Sequence, residues 1–171
     1  DDYYKISLNK DNTSGMIAAL TIKSRLCTSS DSIFSAIDYL EKATILSKKS
    51  EDPTQKAYVL MAKVWLDFFT NNYKNVVSES KEALRLIQPG TEIYLQIFLN
   101  TTIYNVYSQT NNWADAKPYI DRLRSLESAA QNIGYKYSSD YVFSNYLKWK
   151  FENSTNDLKL RDSVINIYKN I

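Results

Sequence analysis

The chain has 171 residues, 44% of them hydrophobic, with 21 Lys plus Arg against 19 Asp plus Glu, one cysteine and no histidine. That length supports one core or one continuous array, since domains of this size bury roughly 70% of their unfolded surface. A net charge of +2 without charge blocks excludes the basic footprint of a nucleic-acid or anionic-membrane binder. The missing histidine removes the commonest general base, the usual triads and most mixed zinc sites.

Three glycines and three prolines are too few for a sandwich or barrel, which needs turn residues every 8 to 12 positions, so long helices are favoured. Cys27 alone makes neither an intrachain disulfide nor a cysteine zinc cluster, and its type fits cytoplasmic and extracytoplasmic settings alike. No apolar run approaches the roughly 20 residues of a membrane span, and no secretory leader pattern is present.

In chain order, a helix is expected over about 14 to 28, followed by a turn near Asp31 and a second helix with the stripe Ile33, Ala36, Leu40 and Ala43. The pair recurs as a helix over about 54 to 70, a turn near Asn72 and the stripe Tyr73, Val76, Ser80 and Ala83. It recurs again as a helix over about 92 to 109, a turn near Asn112 and the stripe Trp113, Ala116, Ile120 and Leu123. The stripes start at 33, 73 and 113, so the period is 40 residues, and offsets of 0, 3, 7 and 10 share one face of an α-helix.

The smaller residues Ala36, Val76 and Ala116 allow a neighbouring helix to approach closely, while Ser80 is expected to bond back to its own helix. Asp31, Asn72 and Asn112 are expected to cap the following helices. Pro53 suits an opening turn and Pro89-Gly90 a helix end. Pro118 implies that Asp115 is the true cap or that the helix bends. A fourth, less regular pair is expected over about 136 to 152 and 156 to 170, with Leu158, Ile165 and Tyr168 as its closing apolar residues.

The segment from Asn72-Tyr73-Lys74-Asn75-Val76 through Ala83 to Pro89, and then Asn112-Trp113-Ala114-Asp115-Ala116, resembles the second helix of the tetratricopeptide family. The likeness covers about residues 14 to 128 and more weakly the remainder, and Tyr104 and Tyr107 partly match the family's first-helix signposts. The usual family repeat is shorter, at 34 residues, and a 40-residue period also suits HEAT-like or other helical-hairpin arrays. The resemblance implies an all-α, right-handed superhelical stack of antiparallel hairpins, with about 3.5 to 4 repeats over 14–50, 54–89, 92–130 and 136–171 in a single domain. It also implies a protein or peptide partner on the inner surface lined by the first helices.

The residue types present favour binding over catalysis. The three isolated glycines form no phosphate loop, and Cys27 has no histidine to activate it. The near pairs Glu79 with Glu82 and Asp38 with Glu41 read as solvated helix faces beside Lys81 and Lys42, and Lys63 with Asp67 as a solvent-side pair. The Tyr-rich stretch 135–151, with Lys136, Lys148 and Lys150, reads as an amphipathic closing helix rather than a single-strand nucleic-acid platform.

If Tyr73 and Trp113 mark equivalent turns, Leu60 and Val64 pack on the partner helix, and Tyr58, Met61, Trp65, Phe68 and Phe69 face the inner surface or the next repeat. The same register adds Thr101, Asn105, Ser108 and Gln109, then Tyr141, Asn145 and Lys148. Aromatic anchors beside amides suit a peptide whose backbone pairs with Asn and Gln. The partner-binding face is therefore Tyr58, Met61, Trp65, Thr101, Asn105, Gln109, Tyr141, Asn145 and Lys148, with no cofactor, metal, nucleic acid or membrane insertion. The abrupt ends at Asp1 and Ile171 add the expectation of a sensing or docking segment of a larger signalling or regulatory protein, and a small-molecule or glycan-binding helical domain, or an accessory subunit of a surface assembly, is the alternative.

Overall fold

A computed structural model describes residues 2–9, 12–154 and 158–169. Among these residues the chain is all-helical, with α1 (Asp2–Asn9), α2 (Thr13–Ser29), α3 (Ile33–Ser47), α4 (Pro53–Phe69), α5 (Tyr73–Leu86), α6 (Ile93–Gln109), α7 (Trp113–Asn132), α8 (Asp140–Glu152) and α9 (Leu158–Tyr168). The sequence pattern did not reveal α1, whose eight residues are too few for a periodic signal. The chain divides into two compact units, Asp1–Val106 and Tyr107–Ile171.

Caps fix several helix starts. Asn12 accepts a 3.0 Å bond from the Gly15 amide, and Asp52 accepts a 2.8 Å bond from Thr54 ahead of Pro53 in the first turn of α4. Gly15 also lets α1 and α2 approach, because a Cβ there would lie 2.8 Å from Asn12 Nδ2 and closer still to Ser7 Oγ.

The turns after α2, α4 and α6 share one geometry. Asp31, Asn71 and Asn111 have φ of 58°, 59° and 55°, the left-handed region that Asp and Asn tolerate better than most residues. The next residue's amide then reaches back 2.8 Å to a helix carbonyl: Ser32 to Cys27, Asn72 to Asp67 and Asn112 to Tyr107. These bonds close Schellman turns that satisfy the orphan carbonyls of the preceding helix. Asp31 therefore ends α2 instead of capping α3, whose N-cap is Ser32. Asn72 and Asn112 do occupy N-cap positions, but their side chains make no cap bond. They donate instead to Asp67 at 3.0 Å and to Asp115 at 2.7 Å. Helix α7 starts at Trp113 and continues through Pro118, so Asp115 is not its cap.

In the first unit α4 is the middle layer. Its Ala57, Met61 and Val64 join Val76 and Ala83 of α5 and Leu95, Leu99 and Val106 of α6 in one apolar cluster. Its Val59, Ala62 and Leu66 join Ile17 and Leu20 of α2 and Ala36, Leu40 and Ala43 of α3 in another. A helix buried on two faces has little room for a polar stripe, which explains the run Ala57 to Leu66 broken only by Lys63 among charged residues. Each large aliphatic side chain so buried contributes about 1.5 to 3 kcal/mol. Leu60 and Phe68 pack at the edge of the first cluster. Ser80 is fully buried, but its hydroxyl has no hydrogen-bond partner, so the expected bond back to its own helix is not made.

In the second unit Ala116, Ile120, Leu123, Leu126 and Ala130 form the buried face of α7, and Val142, Ser144 and Leu147 that of α8. Gly134, at φ 71°, closes α7 through a 2.9 Å bond from the Tyr135 amide to the Ala130 carbonyl. That closure and the following irregular residues delay α8 to Asp140, later than the pattern suggested. Glu127 accepts a 3.0 Å bond from the Ser139 hydroxyl just ahead of α8. In α9 Leu160 is buried and Ile165 exposed, while the side chains of Leu158 and Tyr168 lie outside the described residues, as do 156 and 170 at the ends of the expected helix.

Candidate functional site

A cavity of about 520 Å³ opens in the first unit on a face to which α2, α4 and α6 all contribute. Its volume lies in the range of small-ligand and peptide side-chain pockets. Helix α2 supplies Gly15, Ala18, Thr21, Ile22 and Arg25; α4 supplies Gln55, Tyr58 and Met61; α6 supplies Tyr94. Asn12 and Ser14 complete the polar part of the wall. Helical spacing explains the α2 set, because residues 15, 18, 22 and 25 fall along one stripe.

Among the described residues Arg25 is the charged group of this wall. Its guanidinium carbon lies 5.1 Å from the ring centre of Trp65 and 5.6 Å from that of Phe98, and these two rings are 5.6 Å apart. Neighbouring aromatic faces attract the guanidinium without neutralising its charge. Its remaining contacts are weak: Nη1 lies 4.0 Å from the Met61 sulfur and Nη2 donates to the Tyr94 hydroxyl at 3.4 Å. Nε is buried without a hydrogen-bond partner, and among the described residues no carboxylate pairs with Arg25.

Tyr58 has a different role. Its hydroxyl donates a short bond to the carboxylate of Glu92, a residue held at φ 48° just ahead of α6. Burial, and then the Glu92 carboxylate, raise the Tyr58 pKa, so the phenol stays protonated and committed to that bond. The bond ties α4 to the start of α6 across 34 residues of chain and braces this side of the cavity.

A second, shallow cavity of about 240 Å³ is lined by Ile22, Arg25, Leu26, Ser29 and Trp65. Arg25 and Ile22 belong to both cavities, so the open surface continues along α2 on either side of the guanidinium. Ile22 and Leu26, one turn apart, are 52% and 64% exposed and form apolar lips beside the charge.

No family model matches the chain, and neither does any curated protein or solved structure.

The sequence-derived face divides between the two units. Tyr58 and Met61 meet in the larger cavity, and Trp65 lines the smaller one. Met61 is mostly core, at 3% exposure within the α4–α5–α6 cluster, and reaches the cavity from beneath. Half-buried Thr101 and Asn105 lie farther along α6, lining neither cavity, and exposed Gln109 ends that helix. Tyr141, Asn145 and Lys148 stand on α8 in the second unit, where Lys148 lies 4.0 Å from Glu152. Phe69 is half exposed, its ring 5.1 Å from that of Trp65, and Phe68 packs 5.8 Å from Tyr73.

Two electrostatic expectations are corrected. Lys63 pairs with Glu79 across α4 and α5, not with Asp67 on its own helix, and Glu79 is 8% exposed, not solvated. The α4–α5 packing turns this part of α5 inward, and the ion pair accompanies the buried carboxylate. Asp38 does lie on a solvated face, bonded to Lys42 at 2.6 Å.

Proposed function

We propose that the chain is a non-catalytic module that binds an extended peptide segment of a partner protein on the face shared by its first helices. The proposal takes the helices as a tetratricopeptide-like, right-handed stack of hairpins that serves as the sensing or docking segment of a larger regulatory protein. The observation that carries it is the open cavity lined by α2, α4 and α6, with Tyr58, Met61 and Tyr94 beside the polar Asn12, Thr21 and Gln55. Such a wall offers an apolar seat for one side chain and amides and hydroxyls for a peptide backbone. The turns repeated at 31, 71 and 111 support equivalent placement of the helices that precede them. Asn105 stands 40 residues beyond Trp65, in the register that would extend the polar surface.

The test is selection from a displayed peptide library, followed by titration of enriched sequences against the protein and its variants. Gln55→Ala and Asn105→Ala should weaken binding several-fold, with a thermal melt of each variant showing that it folds. Undiminished affinity in both, with loss on changing Lys74 or Arg85 on the exposed side of α5, would move the interface to the second helices.

A further inference from the structure

We infer that the peptide seat selects an acidic side chain, an internal Asp or Glu with an apolar neighbour, and that Arg25 is the residue that reads it. The inference rests on the peptide-binding reading above and specifies the occupant.

Among the described residues Arg25 is a cation without a counter-ion. Its guanidinium contacts among the described residues are to ring faces, a thioether and a phenol, none of which offsets its charge. Trp65 and Phe98 flank the guanidinium at 5.1 and 5.6 Å, which narrows the space it samples before any ligand arrives. A carboxylate matches the guanidinium fork with two parallel charge-assisted bonds, whereas a neutral amide or hydroxyl matches it poorly. Glu92, which lies just ahead of α6, already accepts the Tyr58 hydroxyl and is absent from both cavity walls.

The shape of the surface places the acid within a chain. The larger cavity lies on one side of Arg25 and the shallow one on the other, and both share Ile22. From Asn12 to Ser29 the lined part of α2 rises about 25 Å, the reach of about seven extended residues. A peptide lying along it passes over the guanidinium and continues on both sides, so its carboxylate is a side chain, not a terminus. The exposed Ile22 and Leu26 beside the charge then favour an apolar residue next to the acid.

The experiment uses the whole chain and a displayed random heptapeptide library joined to its carrier at both ends, so that no free carboxyl terminus is offered. The expected result is enrichment of Asp or Glu at one fixed position with an apolar residue beside it. Arg25→Gln should abolish that preference and weaken the enriched peptides at least about tenfold. A thermal melt checks that the variant folds. If it does not, Arg25→Lys is decisive: the charge remains, the planar fork is lost, and a clear weakening of the acid-centred peptides is expected.

Three outcomes overturn the inference. Enrichment without an acidic position, or with one indifferent to Arg25, removes the acid-reading role and leaves the peptide-binding function standing. Enrichment only from a parallel library with free carboxyl termini assigns the carboxylate to a chain end. No enrichment from either library overturns the peptide-binding reading as well.

Discussion

The Ser24 hydroxyl donates a 2.8 Å hydrogen bond to the carbonyl of Ala36, and both residues are fully buried where α2 meets α3. A side chain can reach a backbone carbonyl of the neighbouring helix only when the two axes run close, and small residues on both sides permit it.

This closeness makes Ala36, and the equally inaccessible Ala83 and Ala116, positions where added volume has nowhere to go. Replacement of each by Leu should lower stability by about 1 to 3 kcal/mol through overpacking. Ser35→Leu, on the exposed side of α3, should change it by less than about 0.5 kcal/mol. Urea midpoints compare the four variants. Alanine variants indistinguishable from Ser35→Leu would show that these helices do not touch at the alanines.

The left-handed residues give a second expectation. Asn71 accepts a 2.9 Å bond from the Tyr73 hydroxyl, and Asn111 accepts one of the same length from the Trp113 indole. Asn71→Val should cost about 1 to 2 kcal/mol, because a β-branched residue strongly resists φ near +59°. Asn71→Gly should be nearly neutral, since relief of the Cβ conflict offsets the lost bond and the added chain entropy. Tyr73→Phe isolates the exposed hydrogen bond and should cost under about 1 kcal/mol. Equal thermal midpoints for the Val and Gly variants would contradict a conformational origin.

Glu79 supplies a pH dependence with a definite sign. Burial, the largest influence, raises its pKa from the ordinary 4.5; Lys63 opposes the rise and the neighbouring Asp67 adds to it. The folded protein therefore binds this proton more tightly than the unfolded chain. The associated stability is fully present below pH 4.5 and is lost as pH rises through the folded value. Glu79→Gln, which cannot ionise, should flatten the stability profile just above pH 4.5. Asp52, whose pKa is lowered from 3.8 chiefly by the Thr54 amide, acts in the opposite sense and only below that value. An unchanged slope in the Gln variant, measured by urea unfolding from pH 4.5 to 7, would rule Glu79 out as the source.

The 40-residue offset carried most of the legible information. It located the second-helix stripes, and Ala36, Val76, Ala83, Ala116, Ile120 and Leu123 are all fully buried. The same offset also held the signal for Arg25: residues 25, 65 and 105 share one register, and stepping back 40 from Trp65 finds it, as stepping back from Met61 finds Thr21. Helical spacing gives direction but not neighbours. It therefore left Glu79 among solvated carboxylates and matched Lys63 with Asp67 instead of with the carboxylate across the interface. At Asp31 the sequence is ambiguous, because an aspartate suits both an N-cap and a left-handed C′ residue, and only backbone geometry separates the two.

Trp65 offers the most direct report on the cavity wall. It is half-buried, its indole nitrogen is inaccessible and unbonded, and one ring face carries the Arg25 guanidinium. With Trp113 and Trp149 replaced by Phe, its emission should be quenched by acrylamide at a rate between those of a free indole and a core tryptophan. Arg25→Gln should then raise that rate, since removal of the stacked cation uncovers the ring without disturbing the α4 residues beneath it. The Phe98 contact at 5.6 Å and the Phe69 contact at 5.1 Å shield other parts of the ring in both proteins, so the rise should stay well short of full exposure. Complete protection of Trp65 before and after the Arg25 substitution would place the ring in a sealed core and remove it from the binding surface.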